Sequence, residues 1–102
     1  MQGDPYTLAK WQVRPGREED FIRAWDQLAE VFVALPEAPL WGTLIRSESD
    51  PALFYSFGPW HEPEDITAMR ADPLAQAAME RVRELCVEAI PGSFRAVRHV
   101  EV

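Results

Sequence analysis

One cysteine stands in 102 residues, with two histidines beside it. A lone thiol excludes a disulfide within the chain. Cys86, His61 and His99 show no metal-ligand spacing, so no metal is expected. Basic residues are also scarce, ten Lys and Arg against seventeen Asp and Glu, for a net charge of -7 and an isoelectric point near 4.7. Such a surface repels a phosphate backbone, which argues against a nucleic-acid partner, and an anionic membrane is disfavoured for the same reason. No apolar run is long enough to span a bilayer. The opening stretch MQGDPYTLAKW lacks the basic and apolar regions of a signal peptide, so a cytoplasmic protein is expected. There is no glycine-rich phosphate loop, hence no expected nucleotide cofactor, and no serine sits in the Gly-x-Ser-x-Gly turn of a hydrolase. Repeats and low-complexity tracts are absent.

What is present is ordinary globular material, 47% hydrophobic, in a length that suits one domain spanning residues 1–102. Tyr6–Val13 reads as a strand, with Thr7, Ala9, Trp11 and Val13 on one face and Tyr6, Leu8, Lys10 and Gln12 on the other. Arg17–Leu35 reads as a helix. Its first turn is acidic, which complements the helix dipole, and Phe21, Trp25, Leu28 and Phe32 form one stripe. Leu40–Arg46 and Ala52–Gly58 read as two strands of a hairpin joined through the turn residues SESDP. A short helix is expected over Glu64–Ala71. Asp72 then caps, and Pro73 starts, a second long helix over Leu74–Ile90, with Leu74, Ala78, Val82, Leu85, Cys86 and Ala89 as its stripe. Cys86 is there an inert core thiol. Pro91-Gly92 ends that helix, and Ser93–Val102 is the closing strand.

This order is the split βαβ, ferredoxin-like arrangement, an α+β fold. Right-handed crossovers put both long helices on one face of a four-stranded antiparallel sheet. The other face then has no cover within the chain. A strand with one wet face should alternate cleanly between apolar and polar. ALFYSFGPW does not: Leu53, Tyr55 and Phe57 lie on one parity, Phe54 and Trp60 on the other. A bare aromatic sheet face invites association, and a two-fold homodimer packed sheet against sheet is the expected solution.

The stretches VRPGREEDFIRAW, LIRSESDPALFYSFGPW and ADPLAQAA together resemble the antibiotic biosynthesis monooxygenase family, a branch of the dimeric α+β barrel superfamily. The likeness covers roughly Tyr6 to Val102. It implies a cofactor-free monooxygenase that acts on an aromatic, quinone-forming small molecule and on O₂, with the substrate anion itself supplying electrons. It also implies a pocket between helices and sheet with the third-strand tryptophan, here Trp60, as a wall. By parity Phe54, Ser56 and Gly58 face the same way as Trp60. The oxygenases of the family carry Asn four residues before this Trp and Tyr six after it, where this chain has Ser56 and Ile66. Their pocket arginine falls near Glu80, and the nearest arginine here is Arg81. A haem-degrading sister branch uses Asn, Trp and His where this chain reads Ala9, Trp60 and Arg70, which removes the axial ligand.

Each candidate has a plainer reading beside the functional one. Trp60 fits a core position at a strand end as well as a pocket wall. Ser56 fits a local hydrogen bond as well as a contact to ligand. Arg70 fits a surface ion pair as well as a polar contact from the short helix over the pocket. Trp60, Ser56 and Arg70 are taken as the catalytic candidates, with Trp11, Trp25, Phe54, Gly58 and Ile66 as pocket lining. His61, next to Trp60, points away from it and belongs to surface or interface. The competing function is a non-catalytic small-molecule binder or pathway accessory protein on the same fold.

Overall fold

The structure is a computed structural model that describes residues 3–102. Its elements run β1 (Pro5–Val13), α1 (Glu18–Val33), β2 (Thr43–Arg46), β3 (Leu53–Pro59), α2 (Pro63–Ala71), α3 (Pro73–Glu84) and β4 (Cys86–Arg95). The strands form one antiparallel sheet in the order β2-β3-β1-β4, the ferredoxin-like α+β arrangement expected from the sequence. The molecule is only 18 Å thin in one dimension, which is one layer of helices on one sheet.

The alternation of β1 decides which face the helices cover. Ala9, Trp11 and Val13 are buried, Lys10 and Gln12 between them are half-buried, and Leu8, of the same parity as Lys10 and Gln12, is exposed. Beneath α1 and α3, these three residues pack with Phe21, Leu28, Phe54, Ala78 and Val82. A second cluster of Trp60, Ile66, Met69 and Ala75 ties α2 and the start of α3 to the end of β3. Two caps fix that corner. The Glu62 side chain and Asp65 close a capping box on α2, and Asp72 Oδ1 accepts the backbone N–H groups of Leu74 and Ala75 at the start of α3.

The end of the chain departs from the expectation. The helix starting at Pro73 stops at Glu84, six residues before Ile90, and β4 begins at Cys86 rather than Ser93. Only Leu85 separates the two elements. Val82 and Cys86, four residues apart, fit a helical stripe, yet Cys86 is the first buried residue of the strand. Pairing along all of β1, from Pro5 to Val13, outweighs the helical pattern of residues 85–90. Pro91-Gly92, read as a helix stop, lies inside β4 opposite Ala9 and Leu8. Proline is tolerated there because β4 is an edge strand, where half of the N–H groups face solvent. Residues 96–102, expected to be strand, form no regular element. Leu74 is also displaced from its expected core role. It is 71% exposed, and Ala75 takes the buried position.

The opposite sheet face is open. The register puts Tyr6, Leu8, Phe57, Tyr55, Ile90 and Phe94 on it. Leu8, Ile45, Ile90 and Phe94 are exposed there, and Lys10 and Glu88 form an ion pair among them.

Candidate functional site

A cavity of about 550 Å³ opens between the helices and the covered face of the sheet. Its floor is built by strand parity. Thr7 and Ala9 of β1 and Ser56 and Gly58 of β3 point the same way, with Thr7 opposite Gly58 and Ala9 opposite Ser56. Small side chains at these four positions leave room under the helices. Large ones at Trp11 and Trp60 bound the room at its two ends.

Each of these tryptophans hands its indole N–H to a hydroxyl on the neighbouring strand. Trp11 Nε1 donates to Ser56 Oγ at 2.9 Å, and Trp60 Nε1 donates to Thr7 Oγ1 at 3.0 Å. Both indoles are essentially fully buried, so each N–H needs an acceptor. A hydroxyl that accepts such a bond still holds its own proton. Ser56 and Thr7 both line the cavity, and their O–H groups are available to donate into it.

A glycine keeps the rim in place. A Cβ at Gly58 would sit 2.2 Å from the Trp41 carbonyl oxygen, so the backbone of residues 41–42 can lie on β3 only because that position has no side chain. Leu40 N–H donates to the Pro59 carbonyl at 3.0 Å, which closes the same segment onto the strand end. Trp41 then reaches round the sheet edge, with its ring edge-on to Tyr6 and Phe57 of the open face.

Three helices supply the walls. From α1, Trp25 and Phe32 face the cavity, and Phe32 meets Trp60 edge-on at 5.6 Å between ring centres. Met69 and Arg70 come from the end of α2. Gln76, Met79, Glu80 and Arg83 come from one face of α3. The Gln76 side-chain amide donates to the Arg70 carbonyl at 2.9 Å and holds α2 against α3.

Of the residues singled out from the sequence, Trp11, Trp25, Ser56, Gly58, Trp60 and Arg70 line this cavity. Phe54 and Ile66 do not. Phe54 shares the parity of Ser56 but lies one pair further along, opposite Trp11. There Phe21 stacks over it at 4.7 Å, and the Arg46 guanidinium covers it. Ile66 is packed into the cluster that contains Trp60, Met69 and Ala75. Arg81 faces a separate depression with Gln27 and Glu30; it is Arg83, two residues on, that reaches the cavity. The plainer and the functional readings of Trp60 both hold in geometry, since it is 1% exposed and also forms a wall. Sequence reasoning missed Thr7, Gln76, Met79, Glu80 and Arg83. The last four recur at spacings of three, one and three, a helical face whose polar residues read as solvated surface in the sequence.

Cys86 is buried, and its thiol donates weakly to the Val82 carbonyl at 3.5 Å. Burial pushes its pKa up to about 11, so the thiol stays protonated and unreactive at neutral pH. His61 is exposed and lies outside the cavity. Among the described residues, no three His, Cys, Asp or Glu side chains group as metal ligands, and no helix is long and apolar enough to cross a membrane.

The sequence profile of the antibiotic biosynthesis monooxygenase family matches residues 6–81. No curated protein sequence matches the chain. Among solved structures, a single-site variant of SnoaB, a cofactor-independent oxygenase from Streptomyces nogalater, superposes with a TM-score of 0.87 at 17% identity, over 96% of this chain and 97% of that one. A Bordetella bronchiseptica protein provisionally assigned as an antibiotic biosynthesis monooxygenase gives 0.80 at 23% identity, over 97% and 100%. A conserved protein from Methanosarcina mazei gives 0.82 at 14%, over 93% and 94%. At these identities the likeness establishes the fold.

Proposed function

The chain belongs to the antibiotic biosynthesis monooxygenase family, and we propose that it is a cofactor-independent monooxygenase acting on an aromatic, quinone-forming small molecule. The observation that carries this reading is the cavity itself: about 550 Å³, walled by Trp11, Trp25 and Trp60, with two donor hydroxyls on an otherwise apolar floor. That volume is right for a small polycyclic ring system, and SnoaB, of the same fold, is a cofactor-independent oxygenase.

The chemistry balances without an added reductant. In a phenolic ring system with an activated methylene, CH₂ plus O₂ gives C=O plus water. One oxygen atom enters the substrate. The other leaves with both hydrogens, and every electron comes from the substrate. The protein's task is to hold the substrate as its anion, orient it towards O₂ and exclude bulk water. Ser56 and Thr7 donate their free O–H groups to the anion's oxygen, a charge-stabilising role. Trp60 sets the plane of the ring, and Arg70 adds positive charge from α2. The 102 residues act as one domain, in the cytoplasm. Two copies pack their open sheet faces together, which buries Leu8, Ile90 and Phe94.

Oxygen uptake on adding a phenolic substrate such as a dihydroxyanthrone tests the reading. Uptake should match substrate lost one to one and should fall in Ser56→Ala. A second reading, a non-catalytic binder, is favoured by one observation: Ser56 and Ile66 stand where the related oxygenases carry Asn and Tyr. Tight binding of the ring system with no uptake of O₂ would select the binder.

A further inference from the structure

A substrate that reacts as its anion needs somewhere for its proton to go. Among the residues that line the cavity, only Arg70, Glu80 and Arg83 are charged, and no His, Tyr, Cys or Lys is present. Arginine does not accept a proton at any ordinary pH. That leaves one group. We propose that Glu80 is the proton acceptor of the reaction: its carboxylate takes the substrate's hydroxyl proton and leaves the ring system as a phenolate. The inference rests on the oxygenase reading of this same cavity.

Position supports the role. Glu80 lies on α3 one turn beyond Gln76 and one turn before Arg83, on the helix face that looks into the cavity. It makes no ion pair or hydrogen bond among the described residues, so its oxygens are free for a ligand. Its charged neighbours at the cavity are both cations, Arg83 from its own helix and Arg70 from α2. Neither guanidinium makes an ion pair or hydrogen bond among the described residues. The lining residues of α1, of residues 39–42 and of the strands bring no titratable side chain. A carboxylate that shares the cavity with two unpaired cations can take a proton while the cations hold the anion left behind. In the step, the substrate O–H bond breaks and an O–H bond forms on Glu80. The electron pair stays on the substrate oxygen. The methylene's two hydrogens leave in the water, the proton on Glu80 returns to the phenolate oxygen of the product, and Glu80 ends the cycle ionised.

The test is the pH profile of O₂ uptake for the native protein and for Glu80→Gln, with a dihydroxyanthrone as probe. The glutamine variant keeps shape and exposure, and circular dichroism checks its fold. At neutral pH it should be slower by about 10²-fold, the usual worth of a positioned base. The deficit should shrink as pH rises and the probe ionises by itself, until the two proteins converge. Uptake by the native protein with an unchanged profile in Glu80→Gln would overturn the role of Glu80 and leave the oxygenase reading standing. A deficit that is the same at every pH would overturn it too. No uptake by the native protein would remove both.

Discussion

Ser56 has two roles in the cavity. It accepts the Trp11 indole N–H with its oxygen and keeps its own proton for a ligand. Ser56→Ala therefore has two separable effects. It strands a buried indole donor, at a cost of about 1–3 kcal/mol in stability, and it removes a donor from the cavity. Chemical denaturation should show the first, and a lower kcat/KM for O₂ uptake the second. Trp60 asks for a gentler change than alanine. It is packed against Phe32, Ile66 and Met69, so Trp60→Ala would lose roughly 3–5 kcal/mol, a large share of a small domain's stability. Trp60→Phe keeps most of the wall and deletes only the donor to Thr7. It should fold, bind more weakly and turn over more slowly. Cys86 gives a check that involves no substrate. Its thiol is held to about 11 in the folded chain against an ordinary 9.0. The folded state thus binds the proton more tightly than the unfolded state does. Stability tied to that proton is intact below pH 9 and is lost as pH climbs from 9 towards 11. Denaturation of Cys86→Ala across this range should show a shallower fall.

At the scale of elements, the cavity depends on how one turnless segment meets one strand. Residues 40–42 lie on β3 because Gly58 has no side chain. Gly58→Ala should push Trp41 off the strand, lower the melting temperature and weaken ligand binding together. Tryptophan fluorescence would report the displacement. The same strands show what sequence can and cannot reveal. The parity of β1 and β3 was legible, since Thr7, Ala9 and Trp11 alternate with Leu8, Lys10 and Gln12, and a period of two has only two phases. The floor followed from it. The end of α3 was not legible. Val82, Leu85, Cys86 and Ala89 fit a helix locally, and Pro91-Gly92 resembles a stop. Pairing with β1, some eighty residues earlier in the chain, is a long-range term that no local pattern reports. The face that carries Gln76, Glu80 and Arg83 lies inside the helix as expected, but its polar side chains read as a solvated surface in the sequence. Phe54 failed for a related reason: parity gives the face of a strand and says nothing of what covers each position along it.

The whole molecule is a two-layer sandwich with one slice missing. Helices cover one face of the sheet, while Leu8, Ile90 and Phe94 stand exposed on the other, with Trp41 reaching round the edge to Tyr6 and Phe57. On the proposed assembly a second copy supplies the cover. Light scattering should then give twice the protomer mass, and Leu8→Glu, a charge at the middle of that face, should return it to one. On the proposed function, the cavity takes the small molecule, and Trp60 and the two hydroxyls hold it there. On that proposed function, this cavity brings an aromatic anion to O₂ with no added cofactor. An oxygen electrode tests it directly: protein dialysed against a chelator, a dihydroxyanthrone as substrate, and Ser56→Ala beside the native chain. Uptake of one O₂ per substrate, unaffected by the chelator and reduced in the variant, is the expected result. Tight binding of the substrate with no uptake above the protein-free rate would contradict it.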